Sequence, residues 1–115
     1  MPKHNSIVWP AILIIENDDL LYYLSSEESL VSELENYYLT PDDSCTILMQ
    51  SGQQYSLNYE DSEHLKLHSL TKLDLKVFNQ LVRNHLSARQ QCCVLKINIS
   101  TYEQGFNLVK NTGND

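Results

Sequence analysis

A nearly unbroken apolar run, Ile7 to Ile15, is followed by Asn17-Asp18-Asp19 and a second apolar run, Leu20 to Leu24. Two β-prone segments flanking a turn-favouring polar cluster read as a β-hairpin. Both residue parities are greasy in the first run. Val8, Ile12 and Ile14 fall on one side of a strand, and Trp9, Ala11, Leu13 and Ile15 on the other. A strand that is apolar on both faces has to be covered on both. This constrains the fold more than any other stretch, because helices on a single face leave one parity bare. Either the C-terminal segment packs behind the hairpin, or the remaining face is a contact surface for a second copy or another protein. Tyrosine suits such a surface through its apolar ring and polar tip. The candidate contact residues are therefore Trp9, Ile12, Ile14, Tyr22 and Tyr23.

Pro10 lacks a backbone N–H, which restricts it to an edge, a strand start or a bulge. After the hairpin, Ser25 and Glu28 have the spacing of a capping box, and Leu30, Val31, Leu34, Tyr37 and Tyr38 recur at helical intervals. Thr40-Pro41-Asp42-Asp43 ends that helix. Thr46 to Gln50 and Gln53 to Glu60 form a second hairpin about Ser51-Gly52, where glycine can take the positive φ of a tight two-residue turn. Asp61 to Ser69 reads as irregular with at most a short strand. The longest helix is expected from Lys72 to Arg89, with Thr71 and Asp74 as a capping pair and Leu75, Phe78, Val82 and Leu86 as its stripe. Cys92 to Ser100 reads as a strand with Cys93, Leu95, Ile97 and Ile99 inward. Tyr102 to Lys110 reads as a short final helix anchored by Phe106 and Val109, against which Gly105 counts.

The expected fold is α+β: a two-layer sandwich of ββαββαβ(α) order, its sheet antiparallel or mixed, with the two main helices on one face. At 115 residues and 42% hydrophobic content the chain suits one domain over residues 1–115, with 1–6 and 111–115 frayed.

The charge of −7, from 15 acidic against 8 basic residues, repels phosphate backbones and argues against nucleic-acid binding. Three cysteines, two of them adjacent (Cys92 and Cys93), do not make a disulfide framework and point to a reducing cytoplasm. The N-terminal apolar run lacks a small-residue cleavage site, and no stretch reaches the ~20 apolar residues of a membrane span, so neither export nor a membrane is expected.

Candidate chemistry is sparse. His64 and His68 are four apart, a spacing that lets two imidazoles share a metal on a helix but sets them about 13 Å apart along a strand. The acids Asp18-Asp19, Glu27-Glu28 and Asp42-Asp43 sit where turns and helix starts favour acids anyway. His4 and His85 have no partner that the sequence can place. No catalytic, cofactor-binding or metal-binding residue is assigned.

The stretch Trp9-Pro10-Ala11-Ile12, with Asp18-Asp19-Leu20 and Tyr22 to Glu28 after it, resembles the opening of a family of short bacterial proteins known as a domain of unknown function. The likeness spans most of the chain. It implies a bacterial cytoplasmic protein of similar size and brings no reaction, cofactor or catalytic residue with it. The function expected is a small non-enzymatic protein–protein interaction domain, homodimeric or with another partner. The alternative is a small enzyme or ligand-binding module with a pocket of tyrosine, histidine and an acid.

Overall fold

The computed structural model describes residues 7–16, 18–37, 45–59, 65–89 and 98–113. These form five strands and three helices. The strands are β1 (Ala11–Ile15), β2 (Leu21–Leu24), β3 (Cys45–Met49), β4 (Gln54–Tyr59) and β5 (Leu65–Ser69). The helices are α1 (Glu27–Tyr37), α2 (Leu75–Ala88) and α3 (Tyr102–Gly113). The sheet order is β2-β1-β3-β4-β5, and every neighbouring pair is antiparallel. β2 and β3 both run against β1, so they are parallel to each other and α1 is the crossover between them.

The fold is α+β with an antiparallel sheet, but its layering differs from the expected sandwich. Helices cover both faces. On one face Leu30 and Leu34 of α1 pack on Ala11, Leu13, Ile15, Leu24, Cys45, Ile47 and Met49. On the other, Phe78, Val82 and Leu86 of α2 and Phe106 and Val109 of α3 pack on Ile12, Leu21 and Leu48. Alternating residues of a strand point to opposite faces, so the two parities of β1 feed two separate cores. The two-sided apolar hairpin is thus central to three layers, helix, sheet and helix pair, and its faces are enclosed by its own chain.

Pro10 stands just before β1, where its missing N–H costs no ladder bond, and its peptide bond to Trp9 is cis. α1 starts one residue later than the expected capping box. Its cap is Ser26, whose hydroxyl accepts from the Ser29 N–H (3.3 Å) and whose carbonyl accepts from the Leu30 N–H (3.2 Å). Asp74 likewise caps α2 by itself, accepting from the Lys76 N–H at 2.9 Å, so this helix begins at Leu75 and not at Lys72.

Four residues, Gln50 to Gln53, separate β3 from β4, and the Met49–Gln53 bond encloses three of them, Gln50, Ser51 and Gly52, in place of the expected two-residue turn. The Gly52 N–H donates to Met49 O (2.9 Å), the Met49 N–H donates to Gln53 O (2.9 Å), and Gly52 takes φ +91°. The turn is thus closed by a glycine in the left-handed region. β5, expected as mostly irregular, pairs along β4 from Tyr55↔Ser69 to Tyr59↔Leu65. The strand expected over Cys92 to Ser100 lies, up to Ile97, outside the described residues. Its described end, Asn98 to Ser100, is not in a strand, and Ile99 is buried against α2 and α3.

Candidate interaction site

The structure separates the five residues expected to form a contact surface. Ile12 is 0% exposed under α2 and α3 and cannot meet a partner, which corrects the expectation for it. Ile14 and Tyr23 pack at the margin of the same core, and Trp9 and Tyr22 at the margin of the α1 core. The Tyr22 hydroxyl donates to Asp18 Oδ2 at 2.7 Å, while Asp18 Oδ1 accepts from the Leu20 N–H at 2.9 Å. Asp18 therefore builds the β1–β2 connection. The bare apolar residue next to the hairpin is Val8, 68% exposed.

Among the described residues no further strand pairs with the hairpin's outer edge. β2 ends the sheet order, α1 leaves it on one face and α3 covers it on the other, so the two helices wall a groove along the strand. This groove measures about 540 Å³. Tyr23 lines it from β2, Ser25 and Ser26 from the turn after it, and Glu28, Ser29, Ser32 and Glu33 from α1. Lys110 of α3 closes the far wall, its Nζ 5.9 Å from the centroid of the Tyr23 ring. Ser25, Ser29 and Ser32 follow four- and three-residue steps, so they form one line with Glu28 and Glu33 on either flank. The wall is lined by short hydroxyl side chains that allow close approach, and the Ser25 and Ser29 hydroxyls lie 3.1 Å apart.

His85, for which sequence offered no partner, is 1% exposed and the one buried polar side chain among the described residues. Its Nδ1 is 2.9 Å from the Leu21 N–H donor, and its Nε2 is 3.0 Å from Thr112 Oγ1. The Thr112 hydroxyl sends its single proton to Leu108 O (2.7 Å), so toward His85 it can only accept. These partners assign a neutral ring with the proton on Nε2. Burial holds the His85 pKa below its ordinary 6.5, the Arg89 guanidinium pushes the same way, and the Asp18 carboxylate opposes them. The one sequence clue was position, since His85 falls on the apolar stripe of α2 three residues after Val82.

His64, His4, Asp42, Asp43, Cys92 and Cys93 lie outside the described residues. His68 is exposed on β5, and Cys45 is a buried thiol in the α1 core. Among the described residues no three His, Cys, Asp or Glu side chains converge as a metal-ligand set, and no helix is long and apolar enough to cross a membrane.

A family profile described as a protein structure with unknown function matches residues 9–109. The chain belongs to this family, DUF4144. The resemblance read from Trp9-Pro10-Ala11-Ile12 and the residues after it is thereby confirmed. No curated protein matches the chain. It is similar to a protein of Shewanella amazonensis solved by NMR, with 19% identity, a TM-score of 0.67, and coverage of 98% of this chain and 96% of that one. At that identity the likeness speaks for the fold of this DUF4144 chain.

Proposed function

We propose that this DUF4144 chain is a non-enzymatic protein–protein interaction domain that receives an extended segment of its partner along the β2 edge. The observation that carries this reading is the groove itself. Among the described residues β2 is a terminal strand between two helical walls, and beyond the Leu21 N–H, which His85 takes, such an edge offers backbone donors and acceptors to an added strand. The serine line lets a backbone approach α1 closely, while Glu28, Glu33 and Lys110 supply charges that select among segments. Four residues of β2 give few ladder bonds, so the complex is weak and side-chain contacts decide its specificity. The partner is a second copy or a different protein. The same reading places the domain in a bacterial cytoplasm, supported by the bacterial source of the similar NMR structure and by a set of three cysteines that does not make a disulfide framework.

The test is selection of binders from a library of unstructured peptides, mapped by amide chemical shifts. Binders that move the Leu21 to Glu33 amides, and that lose affinity at least tenfold to Ser29→Trp, support the groove. Binders that map to another surface, or a small molecule held there with peptides excluded, overturn it. Light scattering across micromolar concentrations decides whether a second copy is the partner.

A further inference from the structure

His85 joins three elements through one ring. Leu21 opens β2, His85 stands in the last turns of α2, and Thr112 lies near the end of α3. We propose that His85 is a proton-operated latch: neutral, it clamps the start of β2 to the end of α3, and protonated, it lets go of β2 while keeping α3. The asymmetry follows from the two ring nitrogens. An imidazolium carries a proton on both, so at Nδ1 it would face the Leu21 N–H donor to donor and that bond is lost. At Nε2 the bond to Thr112 already runs from ring to hydroxyl and survives protonation.

The surroundings set when the latch opens. Among the described residues, α2 contributes Arg89 one turn further on, which resists a positive ring. The β1–β2 connection contributes Asp18, which favours one but also receives the Tyr22 hydroxyl and the Leu20 N–H. α3 presents the uncharged Thr112, and β2 presents the Leu21 N–H. Enclosure in the core adds the largest resistance. The unfolded chain binds a proton at the ordinary histidine value of 6.5, and the folded chain only at lower pH. The contribution of this ring to stability is thus complete above pH 6.5 and is lost as pH falls toward the folded value.

The latch touches the groove without depending on it. Leu21 stands two residues before Tyr23, and Thr112 two residues after Lys110, so the latch holds together the strand and the helix that meet across the groove. Acidification frees the start of β2 whatever the groove binds, so failure of the groove reading leaves the latch standing, and the reverse also holds.

Nitrogen-15 NMR of the native chain from about pH 8 to about pH 5 tests it. The expected result is an Nε2-protonated neutral ring and a His85 midpoint below 6.5. The Leu21 amide should titrate with that same midpoint, and the Thr112 signal should move far less. His85→Gln, whose amide can accept and donate without titrating, should abolish the Leu21 step and the accompanying fall of several degrees in melting temperature. An Nδ1-protonated ring, a midpoint at or above 6.5, or a Leu21 amide indifferent to His85 overturns the latch. Should His85→Gln fail to fold, the native-chain titration alone decides.

Discussion

The two faces of β1 are built by different means, although they belong to the same five residues. On the odd-numbered side, one helix lays Leu30 and Leu34 over Ala11, Leu13, Ile15 and Ile47, a mainly aliphatic core with polar ties at its margin, where the Val8 N–H meets Met49 Sδ at 3.0 Å and the Tyr22 hydroxyl donates to Asp18. On the even-numbered side, two helices meet the sheet around Ile12 and Leu48 through aromatic rings and fixed polar ties. Phe78 stacks on Tyr102 with centroids 5.7 Å apart and meets Phe106 edge-on at 6.0 Å. The Tyr102 hydroxyl donates to Leu73 O, Asn79 Oδ1 accepts from the Ile99 N–H, and His85 ties Leu21 to Thr112. The α1 face stabilises mainly by buried area. The α2–α3 face also sets position, which is why the one buried polar side chain among the described residues is there.

Truncation in the two cores should expose this difference most strongly. Phe78→Ala removes the ring shared by Tyr102, Phe106 and Gly105 and is expected to cost about 3–5 kcal/mol. Leu34→Ala on the other face is expected to cost about 2–4 kcal/mol, because an aliphatic neighbourhood can partly collapse onto the gap. Urea denaturation measures both. The sharper readout is the Leu21 amide: Phe78→Ala should shift it through the loosened α2, and Leu34→Ala should leave it in place. Equal losses with equal Leu21 shifts would mean that the two faces are not distinct in kind.

A second test uses fit alone. Gly105 lies in α3 against Phe78, and a methyl placed there would come within 2.5 Å of Phe78 Cε2 and 3.0 Å of Ile99 Cδ1. Alanine is the better helix former by up to about 1 kcal/mol, so propensity alone argues for a gain. The neighbouring ring is 0% exposed and held on two sides, so it cannot swing away, and overpacking of about 1–3 kcal/mol outweighs the gain. Gly105→Ala should therefore lower the melting temperature. A higher one would show that the α2–α3 face yields as readily as the α1 face.

Much of this architecture was legible because hydrophobic periodicity is local. Leu30 and Leu34, Phe78, Val82 and Leu86, and Phe106 and Val109 were readable as helix faces, and the double parity of Ile7 to Ile15 called for cover on two sides. Which helix covers which face was not readable, since that depends on chain direction after Leu24 and Ala88. Gly105 argued against a helix by propensity, yet the close approach to Phe78 requires it. His85 was opaque for a similar reason: its partners, Leu21 and Thr112, are 64 and 27 residues away in sequence. The candidate site shifted with the same facts. Ile12 and Tyr23 were both named from the hairpin, but only position in the sheet distinguishes the buried Ile12 from Tyr23 beside an open edge.

The smallest expected effect lies where the two faces meet, at the β2 edge. Lys110 of the α2–α3 face reaches over Tyr23 toward the serine line of α1. At an exposed site a cation over a ring contributes at most about 1 kcal/mol, so Lys110→Met, which keeps most of the stem and removes the charge, should barely alter the denaturation midpoint. Its effect on a groove-bound peptide should be larger, because the side chain closes one wall and helps decide which charges the groove accepts. A tenfold change in peptide affinity with unchanged stability would make the edge a recognition surface carried by both faces. An unchanged affinity would confine recognition to α1 and β2, and would leave the α2–α3 face with positioning as its whole contribution.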